Sequence, residues 1–126
     1  MPLATLPGRP CPIAAALELV GERWALLVVR EIALGAHRFG AIVRGTGAPR
    51  DRIAARLKTL EAAGIVTRVQ YQSAPPRDEY RLTESGLALA PVLDALLGWG
   101  RTHAVHPDDP DRLPRYRSFS EHEENR

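Results

Sequence analysis

Apolar and polar residues alternate with helical spacing over the first third of the chain. The first predicted helix begins at Cys11-Pro12, because proline suits the first helical turn, and ends at Gly21. Its apolar positions recur at intervals of three and four residues: Ile13, Ala16, Leu17 and Val20. A second helix is predicted from about Glu22 to Leu34, before Gly35. It should be buried on most sides, because its apolar stripe is broad: Trp24, Leu26, Leu27, Val28, Val29 and Ile32.

Two further helices with a short turn between them follow. A short helix is predicted from Phe39 to Arg44 and a longer one from Pro49 to Ala63, with Gly45-Thr46-Gly47 as the turn. The longer helix has its inward positions four and three residues apart: Ile53, Leu57 and Leu60. A glycine-containing turn of this length is typical of a helix-turn-helix, whose second helix lies in the major groove of DNA.

After Gly64 the period changes to that of strands. Residues Ile65–Tyr71 are strand formers with partial alternation, and Asp78–Leu82 can return as an antiparallel strand. Residues Gln72–Arg77 contain Pro75-Pro76 and are predicted to be a loop. The sequence therefore predicts a hairpin with a stiff tip that carries the basic side chain of Arg77.

A last helix is predicted over residues 84–103, with Thr83 as its N-cap. Pro91 removes a backbone donor and should kink its first turns. Its apolar residues cover too much of the circumference for a helix with one buried side: Leu87, Leu89, Val92, Leu93, Leu96, Leu97 and Trp99. We therefore expect a homodimer that buries Leu89, Leu93, Leu96 and Trp99.

These elements predict a mainly α fold with a small β-hairpin wing: a winged helix-turn-helix with an added C-terminal dimerisation helix. Residues 1–10 contain prolines and glycine and are predicted to form a flexible arm. The domain is predicted over 11–103, with dimerisation helices at about 11–20 and 84–103. Residues 104–126 are rich in proline and charged residues, and we expect a mobile tail there.

Charge is distributed unevenly along the chain. The net charge is only +2, but the stretch from Arg38 to Arg81 holds nine basic and four acidic residues. The preceding residues are balanced, and the following ones carry five basic and eight acidic residues. A basic middle indicates a polyanionic partner, and an ordinary solvated surface is the alternative interpretation.

The helix predicted from Pro49 to Ala63 presents cations on the side away from the core. At about 100° per residue, the positions most nearly opposite its apolar stripe are Asp51, Ala55 and Lys58. Arg52 and Arg56 lie on one flank, and Arg50 lies on the other beside the helix N-terminus, which attracts phosphate. The predicted DNA-binding residues are Arg38, Pro49, Arg50, Asp51, Arg52, Ala55, Arg56, Lys58 and Arg77.

Different roles are expected within this set. Arg50 or Arg52, in the first turn, should contact a base, with guanine O6 and N7 as the best acceptors. Lys58 and Arg77 should contact phosphate. The role of Arg56 stays open. The alternative interpretation of this helix is an ordinary surface helix whose arginines pair with Asp51 and Glu61. The alternative function is a winged-helix protein-interaction module that does not bind DNA directly.

Several short motifs along the chain resemble the HxlR family of winged helix-turn-helix regulators, from Cys11 to about Arg101. The residues that carry the resemblance are Cys11-Pro12, Gly21-Glu22-Arg23-Trp24, Leu26-Leu27, Arg30-Glu31, Arg38-Phe39, Arg56-Leu57, Leu60-Glu61, Gly64, Pro75-Pro76-Arg77, Glu79-Tyr80, Leu82-Thr83, Gly86 and Trp99-Gly100. The resemblance implies a homodimer built from the first and last helices, a palindromic operator, and repression or activation in response to a small molecule, electrophile or oxidant. Relatives often have Ser or Thr where this chain has Ala54 and Ala55, so the resemblance implies DNA binding but does not give the operator sequence.

Three residues are candidates for sensing an effector. The resemblance implies that Cys11 is a redox sensor, as in some relatives, and a helix N-terminus stabilises a thiolate. The alternative is a structural cysteine packed under the arm. Trp24 and Trp99 are first interpreted as core residues, and the alternative is an effector pocket between subunits.

Other classes of function lack a sequence signal. No nucleophile motif, phosphate-binding loop or metal signature is present, so we predict neither an enzyme nor a cofactor. His103, His106, Asp108 and Asp109 form only a weak metal spacing, and no metal site is predicted. The longest apolar runs are too short to span a membrane, and the N-terminus lacks a secretory pattern. We expect a cytoplasmic protein that associates with the nucleoid through DNA.

Overall fold

The computed structural model describes residues 8–112 and 118–122, and the greater part of the predicted arm lies outside these ranges. Helices and a single hairpin alternate in the order of a winged helix. The elements are α1 (Pro12–Val20), α2 (Ala25–Ala33), α3 (Phe39–Thr46), α4 (Arg50–Ala62), β1 (Val66–Ser73), β2 (Pro76–Leu82), α5 (Glu84–Leu87), α6 (Ala90–His103), a 3-10 turn (Pro110–Arg112) and α7 (Phe119–His122). The predicted fold class, mainly helical with a two-stranded wing, is confirmed.

The core forms around α2, because this helix is apolar on most of its circumference, as its sequence predicts. Val28, Val29 and Ile32 are fully buried. The apolar stripe of α4 packs against them through the predicted residues Ile53, Leu57 and Leu60. Burial of one stripe of α4 fixes which side of the helix remains in solvent.

The first helix behaves differently from the second. It begins at Pro12 and is followed by Gly21, as predicted. Of its predicted apolar positions only Val20 is buried, whereas Ile13 and Leu17 are 71% and 58% exposed. An apolar stripe left in solvent marks a surface that has no partner within the chain.

The turn between α3 and α4 is shorter than the sequence predicts. Helix α3 continues to Thr46 instead of ending at Arg44, and only Gly47, Ala48 and Pro49 connect it to α4. Gly47 has a φ of 72°, a left-handed conformation that glycine adopts without a steric penalty, so the chain can leave the helix there.

The hairpin is longer than expected, and the predicted loop over 72–77 is wrong. The strands extend to Ser73 and from Pro76, so the connection is only Ala74-Pro75, joined by a cis peptide. Proline is tolerated at Pro76 because it is the first residue of its strand, beside the turn. The register shifts between Gln70 and Gln72, which leaves Tyr71 as an extra residue in β1.

The predicted last helix is divided in two, which corrects the expectation of one kinked helix. Thr83 caps α5 through its hydroxyl, as predicted, but α5 ends at Leu87 and α6 begins at Ala90. Pro91 has no N–H to donate to the carbonyl of Leu87, so the helix restarts with proline in its first turn. No helix within the described ranges is long and apolar enough to cross a membrane.

Within the predicted tail, 104–126, the described residues 118–122 lie against the domain, whereas 113–117 and 123–126 lie outside the described residues. Phe119 is only 2% exposed and joins the core against α6. The Asp94 carboxylate of α6 accepts the backbone N–H groups of Phe119 and Ser120 and the Ser120 hydroxyl. Burial of an aromatic ring together with these hydrogen bonds holds a polar segment against the domain.

Candidate nucleic-acid interface

Hydrogen bonds within the turn between α3 and α4, and a hydrogen bond from α2, hold the helix-turn-helix in place. The Thr46 hydroxyl donates to the Val43 carbonyl and accepts the N–H of Ala48. Arg30 of α2 donates from Nη2 to the carbonyl of Gly45 at 2.9 Å, while its Nε donates to Glu31 at 2.8 Å. These hydrogen bonds attach the last turn of α3 to α2, and so hold the turn from which α4 begins.

The outer side of α4 is polar and open. The predicted DNA-facing residues on it are exposed: Pro49, Arg50, Asp51, Arg52, Ala55 and Lys58. Within the described residues, no carboxylate lies within ion-pair distance of Arg52 or Lys58, and Asp51 pairs with none of the arginines. The pairing with Asp51, which belonged to the alternative interpretation of this helix, is absent from the described residues.

Arg50 is held by an aromatic ring instead of a carboxylate. Its guanidinium carbon lies 4.8 Å from the centre of the Phe39 ring at the start of α3. A guanidinium over a ring face is weakly attracted and keeps its N–H groups available at the edge. The side chain is thus oriented at the N-terminal end of α4 while its donors remain free to bind.

Arg56 does not belong with this exposed set. Its Nε lies 3.3 Å from Glu22, and the side chain is only 27% exposed. Glu22 also accepts the N–H of Trp24, so the carboxylate is oriented by the turn between α1 and α2. The structure places Arg56 in a contact that fastens α4 to the body of the domain, and its partner is Glu22, not Glu61.

Arg38, just before α3, lies beside the wing. Its guanidinium is 4.5 Å from the centre of the Tyr71 ring, and its Nε is 3.9 Å from Glu79. The side chain is still 64% exposed. Tyr71, the extra residue in β1, thus contributes the ring that Arg38 contacts. The spacing of residues in the sequence does not predict this contact.

The wing presents one cation near its tip and another in its middle. Arg77 is exposed in β2 opposite Gln72, with no ion pair among the described residues. Arg68 of β1 lies 3.7 Å from Glu61 and 3.9 Å from Asp78, so it bridges α4 and β2. Arg77 is therefore the cation on the wing that has no internal partner.

A further group at the interface was missed in the sequence. His37, Tyr80, Arg81 and Glu79 form hydrogen bonds between the loop before α3 and the wing. The hydrogen bond from Arg81 lowers the pKa of Glu79 below its usual value, and the charges of Arg38 and His37 act in the same direction. His37 and Tyr80 are far apart in the sequence, so no local pattern could reveal this group.

The HxlR-like helix-turn-helix model matches residues 19–108. The chain belongs to this family. An uncharacterized HTH-type transcriptional regulator of Mycobacterium tuberculosis is 42% identical over 114 residues, which cover 90% of this chain and 72% of that protein. The family and its relatives are transcriptional regulators of the helix-turn-helix type, not enzymes.

Solved structures support the same assignment. The candidate transcription factor PA1607 is 38% identical with a TM-score of 0.73, over 78% of this chain and 68% of that one. The redox regulator HypR in its reduced form is 30% identical with a TM-score of 0.67, over 84% of this chain and all of that one. The winged-helix architecture of this HxlR-like chain is thus shared with regulators.

Cys11 of this HxlR-like regulator is exposed, whereas most of the arm under which it was alternatively expected to pack lies outside the described residues. It is the N-cap of α1, and its sulfur accepts the N–H of Ala14 at 3.4 Å. An exposed thiol at a helix N-terminus is accessible to oxidants and to a thiol from solution.

The two tryptophans of this HxlR-like regulator occupy different environments. Trp24 is half-buried, with the Arg23 guanidinium 4.3 Å from its ring, whereas Trp99 is 63% exposed and lies 5.2 Å from the ring of His103. An apolar cavity of about 170 Å³ between α2 and α6 includes neither tryptophan in its lining, which consists of Leu26, Leu27, Arg30, Leu93, Leu96, Leu97 and Phe119. Trp99 is not a core residue of the single chain.

Proposed function

We propose that this HxlR-like regulator binds double-stranded DNA in a sequence-specific manner, with α4 in the major groove and the wing on the adjacent backbone. The observation that carries the proposal is the set of exposed cations on α4 and the wing, Arg50, Arg52, Lys58 and Arg77. None of them forms an ion pair within the described residues. Cations without internal partners are those that can replace the counterions of DNA phosphates.

Position along α4 separates the roles of these cations. Arg50 and Arg52 are in its first turn, which in this docking geometry comes nearest the base edges. Ala55, one turn further, is small and lets the helix approach closely. Lys58 is near the other end, where the groove wall is phosphate, and Arg77 reaches the backbone from the wing. The first two therefore read sequence, and the other two mainly contribute affinity.

A homodimer on a palindromic operator follows from exposed apolar side chains. Ile13 and Leu17 on α1, with Leu96 and Trp99 on α6, are each at least half exposed. Leu93, which we expected in the interface, is buried in its own chain, and Leu89 is half-buried against the same core. Two copies that pair through α1 and α6 would place their recognition helices at half-sites about one DNA turn apart.

Effector sensing through Cys11 is the second part of the proposal. The similar protein HypR is a redox regulator, and the exposed Cys11 is the one thiol of this chain. With no second cysteine in the subunit, oxidation would give a mixed disulfide with a small thiol or a bond between subunits. A small molecule bound between the subunits near Trp24 and Trp99 remains the other route to regulation.

The test is binding of the purified protein to DNA that flanks its own gene, measured at several salt concentrations. Specific binding predicts a steep loss of affinity with salt and a clear preference over scrambled DNA of the same length. A winged-helix module that only binds proteins would show neither. Sedimentation of the same sample reports whether the species that binds is a dimer.

A further inference from the structure

Two exposed arginines at the start of α3 and of α4 each lie over an aromatic ring. The guanidinium carbon of Arg50 lies 4.8 Å from the centre of the Phe39 ring, and that of Arg38 lies 4.5 Å from the centre of the Tyr71 ring. Arg38 and Phe39 are neighbours in the chain at the start of α3. Arg38 therefore lies between the first turn of α4, which carries Arg50, and the wing, which carries Tyr71.

Tyr71 reaches Arg38 from an irregular position in the wing. The register of the hairpin shifts between Gln70 and Gln72, so Tyr71 has no partner residue in β2. A bulge of this kind changes the direction of a side chain relative to regular strand pairing. Tyr71 is 38% exposed and lies outside the apolar core, so packing of the core does not explain the position of its ring.

Glu79 is the other neighbour of Arg38, and it does not hold the guanidinium closely. Arg38 Nε and the Glu79 carboxylate are 3.9 Å apart, too far for a hydrogen bond, whereas Glu79 accepts from Arg81 at 2.8 Å. Within residues 8–112 and 118–122, the Arg38 guanidinium donates to no acceptor. A guanidinium over a ring face keeps its N–H groups at the edge, where they can bind a phosphate.

We propose that Tyr71 is a positioning residue for DNA binding, which holds the Arg38 guanidinium where it contacts a phosphate between α4 and the wing. This proposal rests on the proposed DNA-binding function. With α4 in the major groove and the wing on the adjacent backbone, a cation between them faces the phosphates that border the groove. Because the ring already orients the long side chain of Arg38, less conformational entropy is lost when the guanidinium binds.

A double-mutant cycle on DNA binding separates this role from a structural one. Arg38→Ala removes the phosphate contact, so it should weaken binding to operator and scrambled DNA alike and flatten the salt slope by about one unit. Tyr71→Leu keeps an apolar side chain without the ring and should weaken binding about threefold, on the scale of an exposed contact between a cation and a ring. In the Arg38→Ala background, Tyr71→Leu should have no further effect, because it acts through Arg38. An equal loss from Tyr71→Leu in both backgrounds would overturn the proposal, since Tyr71 would then act without Arg38.

The conservative variant Tyr71→Phe separates the ring from its hydroxyl. Phenylalanine keeps the ring face that attracts the guanidinium, so Tyr71→Phe should bind DNA as the wild type does. If Tyr71→Phe loses as much affinity as Tyr71→Leu, the hydroxyl contacts DNA directly, and the positioning role is wrong.

A measurement without DNA tests the contact itself. The ring current of Tyr71 should shift the side-chain proton resonances of Arg38 upfield in the wild type and in Tyr71→Phe, and the shift should disappear in Tyr71→Leu. Unshifted Arg38 resonances in a wild type that binds DNA would overturn the positioning role alone. A wild type that shows the shift and binds no DNA would instead contradict the proposed function, and the role of Tyr71 in DNA binding with it.

Discussion

Arg56 of α4 and Glu22 of the turn between α1 and α2 lie 3.3 Å apart, Nε to carboxylate oxygen, and both side chains are partly shielded from solvent. The same carboxylate accepts the N–H of Trp24, so its position is fixed from the side of α2. Arg56, which the sequence analysis included among the DNA-binding residues, therefore contacts the body of the domain and holds α4 against it. Arg56 is therefore not counted among the exposed cations of α4 that are available to bind DNA.

Replacing Arg56 with Ala should reduce stability more than it changes DNA contacts. We expect a loss of up to about 1 kcal/mol in the free energy of unfolding, since a partly exposed pair is screened by solvent. Urea unfolding of Arg56→Ala, Glu22→Ala and the double variant gives the coupling energy of the pair. The salt slope of DNA binding should remain at the wild-type value. A flatter slope for Arg56→Ala, without loss of stability, would show that Arg56 contacts phosphate after all.

Lys58 and Arg77 should act as phosphate contacts. Substituting either with Ala should weaken binding to operator and scrambled DNA alike and flatten the salt slope by about one unit each. Affinity measured on both DNAs at several salt concentrations tests this. Arg23→Ala is a suitable control, because Arg23 is also a solvent-exposed cation but lies between α1 and α2, outside α4 and the wing, with its guanidinium over the Trp24 ring. An effect of Arg23→Ala as large as that of Lys58→Ala would point to a different face.

Arg50 and Arg52 should act as base contacts. Replacement of the one that reads guanine should cost about 1–3 kcal/mol on the operator and clearly less on scrambled DNA. Arg50→Lys keeps the charge but removes the planar guanidinium that lies over Phe39, so it should lose specificity if Arg50 is the reader. If all of these variants lose the same affinity for operator and for scrambled DNA, α4 binds DNA only through its charge and does not read the base sequence.

The dimer should depend on apolar residues of α1 and α6. Leu17→Asp and Trp99→Asp place a charge in the proposed interface, and each should yield monomers in sedimentation at micromolar concentration. Val69→Asp is a matched control, because Val69 is also an exposed apolar residue, 48% accessible, but lies on the wing. If the wild type sediments as a monomer, both the proposed homodimer and the proposed palindromic operator are contradicted.

Cys11 can be tested without interference, because the chain has one cysteine. Treatment with diamide in the presence of a small thiol should change DNA affinity of the wild type and leave Cys11→Ser unaffected. Serine keeps an acceptor for the N–H of Ala14, so the cap of α1 should survive the change. Non-reducing gels and intact mass separate a bond between subunits from a mixed disulfide. If both proteins respond alike, the effector acts elsewhere.

Phe119 should contribute to stability although it lies far from the wing. Phe119→Ala should lower the free energy of unfolding by about 3 kcal/mol or less, because the segment can undock instead of leaving a cavity. Asp94→Asn, which weakens acceptance from the Phe119 and Ser120 backbone, should act in the same direction with a smaller effect. Thermal unfolding and hydrogen exchange at Ser120 measure both. An unchanged stability with Phe119→Ala would show that this segment does not hold the domain.

The sequence alone predicts most of the elements of this regulator, because helices and strands are encoded by local rules. The three-and-four spacing of Ile53, Leu57 and Leu60 sets the buried side of α4, and therefore the side on which Arg52 and Lys58 are exposed. Caps and breakers also act within a few residues, so the start of α1 at Pro12 was predictable. The broad apolar pattern of the last predicted helix indicated exposed apolar residues, and of the four that it named Leu96 and Trp99 are exposed, whereas Leu93 is buried and Leu89 half-buried.

Only the tertiary structure decides which distant groups meet. Glu22 reaches Arg56, His37 reaches Tyr80, and Asp94 reaches Phe119, in each case across a long stretch of chain. Local periodicity predicts which side of its helix a side chain occupies. Which distant residue that side chain contacts depends on how the helices pack in the core and on where each turn places the following element. Phe119 shows the same limit, since the polar composition around it does not indicate that this ring is buried against α6.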